Sequence, residues 1–121
     1  MIGYVTLGTN DLDRAAAYYD ALLGTLGAER GMQGPRFISW TTGKGPSVGV
    51  IKPYDGQPAH PGNGMMTSLA VDSRTKVDAL HAKALELGGT DEGAVGERFP
   101  GFYAAYFRDL DGNKLCVFHM G

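Results

Sequence analysis

Apolar residues occur in this chain at two spacings, a short strand-like one and a longer helical one, and the same sequence of runs appears twice. Gly3 to Leu7 is a strand-like run. Leu12, Ala15, Ala16, Tyr19, Leu22 and Leu23 then recur at helical spacing and predict one apolar helix face. Asn10 or Asp11 caps that helix, Asp13 favours its first turn, and Gly24 ends it. Three strands are expected next: a weak one at Glu29 to Gln33 and stronger ones at Phe37 to Thr42 and Ser47 to Lys52. Gly43-Lys44-Gly45-Pro46 is the turn between the last two. The pattern restarts with a strand from Met65 to Val71. A helix capped by Ser73 follows, with Val77, Leu80, Ala84, Leu85 and Leu87 on one face and Gly88-Gly89 as its stop. A weak strand at Gly93 to Glu97 precedes a strong pair, Tyr103 to Arg108 and Lys114 to His119, joined by a tight turn at Asp111-Gly112.

The recurrence has a fixed period, since Met66 stands 62 residues after Tyr4 and Gly89 stands 62 after Gly27. A repeat of this kind dictates architecture. It predicts an α+β chain of two tandem βαβββ modules in one domain, 1–121. Module one covers 1–53, a linker rich in Pro and Gly covers 54–64, and module two covers 65–121. Two like modules are expected to curve their sheets around one cleft, with Tyr4, Gly49, Met66 and Cys116 at equivalent positions on the strands facing it. Strand alternation adds Thr6, Ser68 and Phe118 to that inward set. Matching hairpin to hairpin sets Trp40 against Tyr106. The pair serves either as flat stacking surfaces for a planar ligand or as core filling, because a one-residue slip reverses the face.

Composition narrows the range of partners. With 121 residues, 43% apolar and 20% charged, the chain is long enough for one modest core. A net charge of −2 without any Lys/Arg cluster argues against nucleic acid and anionic membranes. No stretch reaches membrane-span length, and Met1-Ile2-Gly3-Tyr4 passes directly into a strand pattern, so a cytoplasmic location is expected. The single Cys116 cannot form an internal disulfide.

Candidate chemistry is sparse. His60 lies in the linker, His81 on the second helix, and His119 has the strand parity opposite to Cys116; none has metal-ligand spacing. Asp109, Asp111 and Asn113 begin like a calcium loop but lack its remaining ligands, and a hairpin turn explains them better. Cys116 lies between Leu115 and Val117 with no neighbouring cation, the setting of a small core residue rather than a nucleophile. Arg36 and Arg108 are candidates for a ligand carboxylate. Arg36 ranks higher, because it follows the Gly31–Pro35 loop while Arg108 adjoins Asp109.

The opening Val5-Thr6-Leu7-Gly8-Thr9-Asn10-Asp11-Leu12-Asp13-Arg14 with Tyr18-Tyr19, and the close Tyr106-Phe107-Arg108-Asp109-Leu110-Asp111-Gly112-Asn113-Lys114-Leu115, resemble the vicinal oxygen chelate superfamily. That superfamily includes glyoxalase I, extradiol dioxygenases and bleomycin-binding resistance proteins. The resemblance covers nearly the whole chain and implies the glyoxalase/bleomycin resistance fold. It also implies a divalent metal held by His, Gln or Glu, at positions that here carry Tyr4, Gly49, Met66 and Cys116. Those residues are not a metal set, so neither metal nor cofactor is expected. The expected function is metal-independent binding of a small apolar or aromatic compound by Tyr4, Thr6, Arg36, Trp40, Gly49, Met66, Ser68, Tyr106, Cys116 and Phe118. The alternatives are a lyase, isomerase or dioxygenase with an atypically bound metal, a metal-free catalyst using Tyr4 or Cys116 as acid or base, and a structural or regulatory dimer with a vestigial cleft. Exposed sheet edges predict a homodimer.

Overall fold

The computed structural model describes all residues, Met1–Gly121, in two compact units, Met1–Pro61 and Gly62–Gly121. The first holds β1 (Tyr4–Gly8), α1 (Leu12–Gly24), β2 (Glu29–Gln33), β3 (Phe37–Thr41) and β4 (Ser47–Ile51). The second holds β5 (Thr67–Ala70), α2 (Arg74–Glu86), β6 (Thr90–Phe99), β7 (Phe102–Arg108) and β8 (Lys114–Met120). The fold is α+β, two tandem βαβββ modules. Strand order is β1-β4-β3-β2 in one sheet and β5-β8-β7-β6 in the other. The first and last strands of each unit pair in parallel and the other neighbours are antiparallel.

Local chemistry sets the helix limits. The Asp11 side chain accepts the Arg14 N–H at 3.0 Å, and Ser73 Oγ accepts the Lys76 N–H at 3.2 Å. Each satisfies one of the free donors of a first helical turn. Helix α1 runs through Gly24 rather than stopping there. It ends where Gly27 takes φ +78° and the Ala28 N–H reaches the Leu23 carbonyl, a conformation glycine adopts without a Cβ clash. Neither helix is long and apolar enough to cross a membrane.

In the first unit, Trp40 is 2% exposed, packed on Tyr19 at 5.6 Å between ring centroids. Its indole N–H donates to Asp20 at 2.8 Å, and Arg30 clasps the same carboxylate at 2.7 and 2.9 Å. Trp40 is therefore a core residue on the helix side of the sheet, not a ligand-stacking surface. The pairings give the reason. Ser39 stands opposite Gly49 as Tyr106 stands opposite Cys116, both 67 residues on, so the counterpart of Trp40 is Phe107. Phe107 is fully buried in the second unit with Leu115, Val117, Val77, Leu80 and Ala84. The expected Trp40–Tyr106 equivalence was wrong by one residue, which exchanges faces.

Strand β6 is also longer than the Gly93 to Glu97 expected. Register shifts around Gly93 and Gly96 break its alternation, so the flanking residues join the ladder without showing a period of two in sequence. Residues 52–66 hold no helix or strand. Asn10 fixes this segment, its amide donating to the Ala59 carbonyl at 3.0 Å and accepting the Ala59 N–H at 2.7 Å. The β7–β8 turn is clipped by the buried Asp109 carboxylate, which accepts from the backbone of Asp111 and Asn113 and from the Asn113 amide.

Candidate functional site

Each helix packs on one face of its sheet, and the other face carries the candidate residues. In the first unit that face presents Tyr4 and Thr6 of β1, Phe37 and Ser39 of β3, and Gly49 of β4. Thr6 and Ser39 both pair with Gly49. A Cβ on Gly49 would lie 2.9 Å from Phe37 Cζ, closer still to Cε1, and 3.3 Å from the Ile38 carbonyl. The Phe37 ring thus fills the space a side chain at 49 would need. Tyr4, 66% exposed, leans on Phe37 at 6.4 Å between centroids. Ser39 is buried and its Oγ accepts the Met32 N–H at 3.0 Å.

Arg36 belongs to a different place. Its Nη2 donates to the Lys52 carbonyl at 3.1 Å and its guanidinium lies 5.3 Å over the Tyr54 ring. With Thr9, Asn10, Lys52 and Tyr54 it lines an open hollow of about 460 Å³ against the 53–58 segment. Arg108, the other arginine candidate, pairs with Glu92 and donates to the Gly112 carbonyl.

In the second unit the helix-free face carries a row across three strands, Ser68 of β5, Cys116 of β8 and Tyr106 of β7, in direct register. Cys116 is 1% exposed. Burial pushes its thiol pKa up, while the hydroxyls of Ser68 and Tyr106 and the charges of Arg98 and Lys114 pull the other way with less effect. Two residues along β8, Phe118 stacks on Phe102 at 5.3 Å, and Phe102 stacks on Phe99 at 4.7 Å, forming an apolar end to the row. Around Tyr106 stand two cations, Arg98 at 5.2 Å and Lys114 at 5.6 Å from the ring centroid. Met66 lies just before β5 and is 46% exposed.

The four positions at which the resemblance would place metal ligands do not fit a catalytic divalent ion. Gly49 offers no donor and its space is filled; Tyr4 offers a phenol, Met66 a thioether, and Cys116 a thiol that burial keeps protonated. No group of three or more His, Cys, Asp or Glu side chains converges anywhere in the chain. The histidines have other partners: His81 Nε2 lies 3.2 Å from both Asp91 and the Tyr106 carbonyl, and His119 Nδ1 lies 2.9 Å from the Val71 carbonyl.

The structure thus brings Ser68, Tyr106, Cys116 and Phe118 onto one sheet face, and Tyr4, Thr6 and Gly49 onto another. It removes Trp40 to the core and Arg36 to the hollow. Sequence reading missed Phe102 and Lys114, although strand parity with Tyr106 and Cys116 carries the signal for each, and it missed Phe37, whose face follows only from the pairing of Ser39 with Gly49. Arg98 leaves no such trace, because the bulges of β6 cancel parity.

A family model described as a glyoxalase-like domain matches residues 4–118. A glyoxalase/bleomycin resistance protein from Albidiferax ferrireducens T118 is 39% identical, with a TM-score of 0.93 over 100% of this chain and 99% of that one. A glyoxalase/bleomycin resistance protein/dioxygenase family enzyme from Burkholderia phytofirmans PsJN is 22% identical (TM-score 0.81, 98% of each chain covered). A lactoylglutathione lyase from Agrobacterium tumefaciens is 24% identical (TM-score 0.72, 98% of this chain and 92% of that one). These last two share the fold. No curated protein matches the sequence.

Proposed function

Because the chain belongs to the glyoxalase-like domain family, within the vicinal oxygen chelate superfamily, we propose that it is a metal-independent binding protein that holds a small, largely aromatic compound. The observation that carries this reading is the second unit's helix-free face, where stacked aromatic rings stand beside a row of hydroxyl and thiol groups. An apolar wall with a few convergent polar groups is the usual make-up of a small-molecule site. The donor chemistry of Tyr4, Gly49, Met66 and Cys116 supports binding over a lyase, isomerase or dioxygenase reaction, each of which asks about three oxygen or nitrogen donors on one metal. The proposal extends to a homodimer in the cytoplasm: β1, β2, β5 and β6 are edge strands, which proteins commonly cover by association, and the only cysteine is a free thiol.

Native mass spectrometry of protein incubated with Mn²⁺, Ni²⁺ or Zn²⁺ and then desalted is the test. A dimer that retains no metal and carries small-molecule adducts is the expected spectrum. One divalent ion per chain surviving desalting, and lost on substitution of Cys116, would overturn the reading.

A further inference from the structure

The second unit contains six basic residues, and carboxylates pair with four of them: Arg74 with Glu97, Lys76 with Asp72, Lys83 with Glu86 and Arg108 with Glu92. The remaining two, Arg98 and Lys114, have no carboxylate partner, and both stand over Tyr106. They reach that ring from β6 and β8, the strands on either side of β7. Lys114 is half-buried and Arg98 is held in place by its own backbone, donating to the Ala94 and Gly96 carbonyls at 2.5 and 3.1 Å. Its path depends on missing side chains. A Cβ on Gly93 would lie 3.0 Å from the Tyr106 ring and 3.3 Å from the Arg98 guanidinium, and a Cβ on Gly96 would lie 3.2 Å from it.

Two uncompensated cations at one ring, in a chain of net charge −2, form a local positive site. Cation–π attraction to Tyr106 offsets part of their charge but leaves no anion at hand. Further along β8 the lining turns apolar: Phe118, two residues past Cys116 and hence roughly 7 Å away, begins the stack with Phe102 and Phe99. The face is therefore cationic at one end and aromatic at the other, with the Ser68 hydroxyl between. From this juxtaposition we propose that the bound compound is an aromatic carboxylate, its ring against Phe118 and Phe102 and its carboxylate at the cationic end, beside Tyr106, where Arg98 and Lys114 stand. A guanidinium fork and an ammonium both suit a planar anion. The inference rests on the binding reading above and adds the charge of the ligand to it.

The test uses salicylate and its neutral analogue salicylamide, titrated into the intact protein by NMR, with wild type compared to Lys114→Gln and Arg98→Gln. Salicylate is expected to bind more tightly than salicylamide, to shift resonances at Tyr106 and Phe118, and to weaken about tenfold in each variant, while salicylamide is unaffected. Arg98 is exposed, so its substitution spares the fold even where that of Lys114 does not. Equal binding of the two probes, or salicylate binding indifferent to both substitutions, would overturn the anionic assignment and leave the binding reading standing. If neither probe shifts Tyr106 or Phe118, both fall.

Discussion

Replacing Asp20 tests the account of the first unit's core most directly. Its carboxylate receives the Trp40 indole N–H at 2.8 Å and the Arg30 guanidinium at 2.7 and 2.9 Å. Asp20→Ala leaves the Trp40 donor, in a residue 2% exposed, with no acceptor, which costs about 1–3 kcal/mol. The Arg30 bridge, with both side chains more than a third exposed, adds only about 0–1 kcal/mol. The expected loss is about 1–4 kcal/mol. Asp20→Asn keeps an oxygen for the indole and should lose about 1 kcal/mol, the charge-assisted part. Urea unfolding at neutral pH followed by far-UV circular dichroism measures both. The Arg30 guanidinium first, and the indole N–H to a lesser extent, hold the Asp20 carboxyl below its usual range. A group depressed in the folded state contributes stability above its unfolded pKa of about 3.9 and loses it as pH falls through the folded value. The gap between wild type and Asp20→Asn should therefore close as pH drops below about 4. An Asp20→Ala variant within about 0.5 kcal/mol of wild type, or a gap that widens in acid, would refute the reasoning.

Gly49→Ala drives a methyl into the Phe37 ring and should cost about 1–3 kcal/mol by chemical denaturation, with Phe37→Ala in the same chain restoring much of it; no loss would mean that Phe37 swings away freely. Cys116, buried and with its thiol pKa raised, should react with iodoacetamide at least about tenfold more slowly in the native chain than in urea, and equal rates would place it at the surface.

The architecture is legible in sequence because the repeat and the alternation of strand and helix runs are properties of residue order alone. Caps at Asp11 and Ser73 are legible for the same reason, since they act within three residues. Register is a different matter. It is set by pairing across strands, so the helix-side position of Trp40 follows from Ser39 standing opposite Gly49 and not from residue order. The Arg98 site depends on three register shifts against β7 and two absent side chains in β6, and these involve neighbours far apart in sequence. Arg36 shows the same limit: its loop was visible, while its engagement with Lys52 and Tyr54 comes from the chain's return 16 residues later.

The chain has one tryptophan, and it lies wholly within the first unit. Excited at the red edge, where tyrosine is silent, the protein emits only from Trp40, so its fluorescence reports on one half of the molecule. Phe107 occupies the matching seat in the second unit and is equally enclosed. Exchanging labels, with Trp40→Phe and Phe107→Trp in one chain, would move the beacon to the other half. Comparing the two proteins would let a spectrometer watch each module melt on its own signal.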